Sequence, residues 1–191
     1  AKLNAVDGKL WVDSIGNIYI CDTLNLRIRK VNTSGIITTF GGSGSSSTSG
    51  IGGIMGPSIS FNRPSAIVGN SAGTYFFLSD SRYIWKYIFS TTYVSVFAGN
   101  GTAGFSGDNG PAKDAALSGA SGLWLTTGDE LYIADTDNHK IRRIRISSNI
   151  ITTVAGKTSG YSGNGGDASL SQLQYPSSVY VNSNGIVYIA D

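Results

Sequence analysis

Ile18-Tyr19-Ile20-Cys21-Asp22, Tyr75-Phe76-Phe77-Leu78-Ser79-Asp80, Leu131-Tyr132-Ile133-Ala134-Asp135 and Val187-Tyr188-Ile189-Ala190-Asp191 are four versions of one phrase: an aromatic-aliphatic run that stops on an aspartate. The aspartates recur at intervals of about 56 residues, the regularity of a tandem repeat. A second marker keeps the same beat. Ile37-Thr38-Thr39-Phe40-Gly41-Gly42, Val94-Ser95-Val96-Phe97-Ala98-Gly99 and Ile151-Thr152-Thr153-Val154-Ala155-Gly156 follow one another at a single unchanging interval that matches it closely. Two markers with one period mean tandem structural units. The units run over about 1–60, 61–116, 117–172 and an incomplete 173–191.

The third unit reads most clearly. Gly122-Leu123-Trp124-Leu125 is a short apolar run, followed by the turn Thr127-Gly128-Asp129-Glu130. Leu131 to Ala134 is a second strand, and Asp135-Thr136-Asp137-Asn138 a second turn. In Lys140-Ile141-Arg142-Arg143-Ile144-Arg145-Ile146 isoleucines broadly alternate with cations, as a half-buried strand requires. Ile150 to Ala155 is a fourth strand, and a helical period shows only weakly, around Ala112 to Leu117. Four short antiparallel strands per repeat describe an all-β protein, a β-propeller of four-stranded blades, with about three and a half blades in this sequence. Both faces of such a blade are apolar, so each must be covered by a neighbour. Trp11, Trp124 and Tyr180 recur in the first strand, which suits wedges between blades better than the lining of a binding tunnel.

These residues resemble a known family. Tyr132-Ile133-Ala134-Asp135-Thr136-Asp137-Asn138-His139-Lys140-Ile141-Arg142-Arg143 looks like the core of an NHL repeat, matched in the first unit by Tyr19 to Lys30. The longer variant of that repeat has a Gly-rich insertion, seen here in Ala98 to Ala112 and again in Ala155 to Ala168. The resemblance implies a six-bladed propeller. A ring of that size at this period takes on the order of 330 residues, so the sequence is expected to belong to a longer polypeptide, or else to copies that complete each other's ring.

Charged residues make up only 14% of the chain, against roughly 25% in ordinary soluble domains. Gly, Ser, Thr and Asn keep the surface wet instead, a composition commoner outside the cell. Two glycosylation sequons, at Asn32 (Asn32-Thr33-Ser34) and Asn100 (Asn100-Gly101-Thr102), fall in predicted turns and point the same way, to a secreted or cell-surface protein. The single cysteine, Cys21, excludes a disulfide framework and reads as a buried thiol. No run of 18 apolar residues is present, so no membrane-spanning helix is expected.

The second unit departs from its siblings. Asp80-Ser81-Arg82-Tyr83-Ile84-Trp85-Lys86-Tyr87-Ile88 is shorter by two residues, and Trp85 stands where the others place a cation. One reading is a degenerate blade with a bulkier core. The other is an exposed aromatic strip, Tyr83, Trp85 and Tyr87, that contacts a glycan or a protein.

Chemistry is hard to find. Some NHL propellers are metal-dependent lyases with several histidines, but this chain has only His139, in the turn where the repeat expects one. A three-histidine zinc site is impossible, and no nucleophile elbow is present. Asp22, Asp80, Asp135 and Asp191 could form a carboxylate ring. Their place at the start of a turn argues instead that they accept backbone N–H bonds and fix the hairpin. The insertions with Asp108 and Asp167 have a look of calcium loops yet lack the alternating acidic ligands, so no cofactor is expected. Third-strand cations (Arg27, Arg29, Lys140, Arg142, Arg143 and Arg145 among them) would suit an RNA-binding propeller. A net charge of only +2 favours reading them as the solvated edge of each blade, with no nucleic-acid partner. The sequence therefore points to a non-catalytic binding or structural module whose partners are proteins, other copies or glycans. The alternatives are a lyase or hydrolase with catalytic residues outside this segment, and an RNA-binding propeller.

Overall fold

The computed structural model describes residues 2–4, 9–46 and 52–191. The chain is a β-propeller, and its blades follow the repeat. The first is the meander β1 (Leu10–Val12), β2 (Ile18–Asp22), β3 (Arg27–Val31) and β4 (Ile37–Gly41). The second contains β5 (Gly52–Ile54), β6 (Pro64–Gly69), β7 (Tyr75–Asp80), β8 (Tyr83–Ile88) and β9 (Tyr93–Ala98), paired in the order β5-β9-β8-β7-β6. The third is β10 (Ala120–Leu125), β11 (Glu130–Asp135), β12 (Lys140–Arg145) and β13 (Ile150–Ala155). A parallel pair, β14 (Thr158–Ser159) with β15 (Gln172–Leu173), precedes the two-stranded sheet β16 (Ser178–Val181) and β17 (Val187–Ala190). The weak helical signal near Ala112 is a single 3-10 turn, Ala112–Asp114, too short to satisfy a helical period.

Alternation along the second strands decides which core each side chain enters. On β7, Phe76 and Leu78 join Tyr19, Cys21 and Ile28 between the first two blades, while Phe77 turns the other way toward Leu131, Ile133 and Ile144. On β11, Leu131 and Ile133 face the second blade, whereas Tyr132 and Ala134 face Val179 and Val181 of the fourth unit. The second and third blades thus bury both faces, which is why these strands read as continuous apolar runs. Trp11 stacks on Tyr19 with ring centroids 5.3 Å apart and reaches Phe76 of the next blade, as a wedge should. It does so against Gly69, where an added Cβ would run into the Trp11 ring, so the close approach of that strand favours glycine.

The aromatic strip of the second unit is a core feature, which corrects the exposed reading. Trp85 is 1% and Tyr87 4% exposed. β8 is an inner strand, and its odd-numbered side chains point at the first blade, where Tyr87 stacks on Phe76 (4.9 Å) and Trp85 meets Phe61 edge-on (6.2 Å). Only Tyr83 is half-buried, tilted against Trp85. Bulk replaces charge there because the space beyond β8 is filled by rings.

The solvated-edge reading of the third-strand cations is corrected too. Arg142 is fully buried and Lys140 nearly so. β12 lies between β11 and β13, and the insertion that follows β9 folds over it. Phe105 sits on Lys140 (4.5 Å) and Arg142 (4.8 Å), while Asp108 accepts from the Arg142 guanidinium at 2.8 Å. The same insertion runs along the outer edge of the third blade. Asn109 N donates to Ile151 O (2.8 Å), and Ala112 N to Asn149 O (2.7 Å). β5 treats the second blade likewise, pairing Gly52 with Ser95 and Ile54 with Tyr93. Residues 52–54 thus lie within the first sequence unit but complete the second sheet.

Truncating Trp85 to alanine is expected to destabilise the fold by about 3–5 kcal/mol through the cavity left behind. Denaturant unfolding monitored by fluorescence measures this; a loss below about 1 kcal/mol would return Trp85 to the surface.

Candidate functional site

The first strands of the four units, β1, β6, β10 and β16, stand side by side around the propeller axis. Lys9 N donates to Ser65 O (3.1 Å), and the Lys9 ammonium donates to Ser178 Oγ, joining the first unit to the fourth across that axis. At the leading ends of these strands is a cavity of about 290 Å³ whose wall includes Lys9, Arg63, Ser65, Ser121, Thr136 and Asp137. This is where residues from separate units converge.

The wall is built by the same chemistry repeated. Thr23 Oγ1 donates to Pro64 O (2.9 Å), and Thr136 Oγ1 donates to Pro176 O (2.8 Å). In the second unit Ser81 stands at that place and its carbonyl accepts from Ala120 N (2.8 Å). Ser65 Oγ donates to Ala120 O (2.8 Å), and Ser121 Oγ contacts Thr136 Oγ1 and Ser177 O. The hydroxyls of Thr23, Thr136, Ser65 and Ser121, with the Ser81 carbonyl in the second unit, thus stitch one blade to the next. Burial holds the Lys9 ammonium below its ordinary pKa.

The recurring aspartates sit behind this wall and do a different job from fixing the hairpin alone. Asp22 accepts from Asn4 N (2.9 Å), Asp80 from Asn62 N (3.1 Å) and Arg63 N, Asp135 from Ser118 N (2.8 Å), and Asp191 from Gln174 N (2.6 Å). Each donor lies in the loop leading into the first strand of the same unit. The turn is held secondarily, by Asn25 on Asp22 and by Asn138 on Asp135. Asp135 also pairs with Arg142 at 3.2 Å and Asp22 with Arg29 at 3.6 Å. Burial pushes the Asp80 carboxyl above its usual range, with the amides of Arg63 and Asn62 pulling the other way.

The remaining candidates are scattered. His139 ends a 3-10 turn in the left-handed region (φ 57°); its Nδ1 accepts from Tyr175 N (3.2 Å), and its ring rests edge-on against Tyr175. Cys21 is fully buried, and burial pushes its thiol far up. Asp108 is engaged with Arg142, and Asp167 accepts from Ser169 N (2.8 Å). Among the described residues no three His, Cys, Asp or Glu side chains stand close enough to hold a metal ion. No described helix is long and apolar enough to cross a membrane. Asn32 is exposed and Asn100 lies at the surface beside it in kind, each in a turn. Asn32 Oδ1 accepts from Ser34 N (3.0 Å) and Ile36 N (2.9 Å), whereas Asn100 Nδ2 donates to Asp114 O (3.0 Å). The central cavity is not among the sites expected from sequence, although its signal is there: Lys9, Ser65, Ser121 and Ser177 recur at one constant interval, that of the repeat.

No family model matches the chain. Among curated proteins it is similar to Teneurin-4 of Homo sapiens, 39% identical over 93 residues that cover 42% of this chain and 3% of that protein. It is similar to Teneurin-1 of Homo sapiens over its whole length, at 27% identity and 8% of that protein. The chain thus spans less than a tenth of the curated relatives it matches. Among solved structures it resembles an auxiliary nutrient binding protein from Bacteroides thetaiotaomicron, with a TM-score of 0.64 and 17% identity over 93% of this chain and 43% of that one. It also resembles a streptogramin B lyase, with a TM-score of 0.58 and 15% identity over 95% of this chain and 46% of that one. The extracellular domain of a one-component system from B. thetaiotaomicron gives 0.58 and 10% identity, over 95% of this chain and 20% of that one. At such identities the likeness is one of fold, and these neighbours are propeller-like.

Two outcomes are expected. Made in a secreting eukaryotic cell, the protein should carry a glycan at Asn32 and none at Asn100, because only the second has the acceptor nitrogen engaged; glycopeptide mass spectrometry decides, and a sugar on Asn100 alone would refute the assignment. The Asp80 carboxyl has a folded-state pKa above its unfolded value near 3.8, so its favourable contribution is full below that value and fades as pH rises through the folded one. The stability of the native protein relative to Asp80→Asn should therefore be greatest in acid and shrink toward neutrality. Thermal melts across pH test this, and a gap that widens toward neutrality contradicts it.

Proposed function

We propose that the chain is a stretch of a secreted or cell-surface propeller of NHL-type repeats that binds a polar partner, glycan or protein, without transforming it. The observation that carries this reading is the cavity at the axis, whose wall is drawn from four units and sets hydroxyls, two cations and one carboxylate beside Gly119 and Ala120. Fixed polar groups in a concave, multiply supported site are what orient a ligand. Chemistry would need a nucleophile beside a base. Here Cys21 is sealed in a core and His139 rests on Tyr175 at the foot of a turn, so neither supplies one. The nutrient-binding and extracellular-domain neighbours fit the same reading, while the lyase neighbour represents its rival, in which catalytic groups would come from outside this chain. The third-strand cations support the exclusion of nucleic acid. Arg142 and Lys140 are buried, Arg29 lies on Asp22, and Arg143 reaches Glu130 at 3.3 Å.

A panel of neutral and acidic oligosaccharides tests the reading. Ligands that bind should slow hydrogen exchange at Ser65, Ala120 and their neighbours, and mass spectrometry should recover them unchanged. Conversion of a bound ligand, or salt-sensitive RNA binding stronger than any sugar's, would overturn it.

A further inference from the structure

The axis of this propeller is lined by a serine that three units place at the same position. Ser65, Ser121 and Ser177 follow one another at a single unchanging interval, and the same step back from Ser65 reaches Lys9. Three units therefore place a small hydroxyl at the centre; in the first unit Lys9 stands one position further along its strand, level with Ser178, to which its ammonium donates. The loop leading into the second blade adds Arg63 to the same cavity. Arg63 is exposed, and among the described residues its guanidinium makes no ion pair or hydrogen bond. Two cations from different blades thus face one space.

Four of the hydroxyls around them have a fixed polarity. A serine or threonine hydroxyl has one proton and two lone pairs. Thr23 gives its proton to Pro64 O, Ser65 gives its own to Ala120 O, and Thr136 to Pro176 O. That leaves Ser121 to donate to Thr136 Oγ1 or Ser177 O. With their protons directed into the blades, these groups offer the cavity lone pairs. Asp137, whose carboxylate accepts from Ser118 Oγ at 3.3 Å, adds further acceptor capacity from the third blade. The wall therefore asks its ligand for hydrogen-bond donors along the hydroxyl side and for negative charge at Lys9 and Arg63.

We propose that the central cavity binds a carboxylated sugar of the uronic-acid type, its carboxylate between Lys9 and Arg63 and its ring hydroxyls donating to Ser65, Ser121, Thr136 and Asp137. This deepens the binding reading above and rests on it. A neutral sugar leaves both cations unanswered. A bare phosphate has few hydrogens for the acceptor wall and meets Asp137 as a like charge. A sugar acid answers both halves at once, and a volume of about 290 Å³ suits one or two sugar rings rather than a long chain.

The test is calorimetric titration at low salt with the galacturonate dimer, the neutral galactose dimer and inorganic phosphate as three separate probes. The acidic dimer is expected to bind about tenfold or more tightly than the neutral one, as charge-assisted bonds to a guanidinium and an ammonium require. Arg63→Gln should remove most of that advantage while leaving the melting temperature unchanged, since Arg63 is solvent-facing and holds no other side chain. Lys9→Gln should do the same, and Arg63→Gln stays informative where Lys9→Gln lowers stability through lost contact with Ser178. Equal binding of both dimers overturns the acidic ligand and leaves the binding module standing. Tighter binding of phosphate than of the acidic dimer overturns it as well. Failure of all three probes also overturns it, and the binding reading falls with it only when the oligosaccharide panel is blank too.

Discussion

A carboxylate at the end of each second strand reaches back across 17 or 18 residues and takes the amide hydrogen of the loop that leads into its own blade. Those N–H groups lie before the first strand begins and so have no ladder to join, and the carboxylate gives them a partner inside the protein. A charged acceptor answers that need with the stronger class of hydrogen bond. The consequence is positional. Once Asp80 holds Asn62 and Arg63, the start of β6 is fixed, and with it the place of Ser65 at the axis. Asp135 does this for Ser118 and the start of β10. The arrangement of the central cavity thus descends from side chains set behind its wall.

The blades are held together by two different means on their two flanks. Near the axis, hydroxyls give their protons to carbonyls of the next blade, a polar seam with little apolar content. Farther out, the sheets press ring against ring, as with Phe76 on Tyr19 and Phe40 edge-on to Tyr87. Apolar burial supplies the adhesion, being nondirectional, while the hydroxyl seam sets the angle at which one blade meets the next. The Arg142 guanidinium, with Asp135 on one side and Asp108 on the other, joins the strand, the turn and the insertion in one buried knot. Removing one member would leave charge without a partner in the interior.

The repeat, the blade and the structural character of the aspartates were legible because all three rest on local pattern: period-two alternation, turn chemistry and fixed spacing. What the pattern hid was which face belongs to whom. Trp85 stood at a position that the third unit fills with Arg142, and position alone suggested solvent. In a sheet covered on both sides, neither face is outside, so a ring and a guanidinium occupy equivalent buried places by different means. β5 was illegible for another reason. Gly52-Gly53-Ile54 has no strand signature of its own and pairs only because the outer edge of β9 is there to receive it. The candidate site fell between these cases. Its column of Ser65, Ser121 and Ser177 carries a perfect period, but serine is too common for that period to stand out, and Lys9 of the first unit stands one strand position away from it.

The way each connector crosses to the outer edge of the following blade gives the propeller a direction. β5 comes from the chain after the first blade and covers the second; residues 109–112 come after the second and cover the third. The blades overlap like roof tiles laid one way. When a blade loosens, the edge stripped of its cover is that of the blade after it, not that of the blade before. The protection of each outer strand's amide groups therefore depends on the segment that leaves the blade before it.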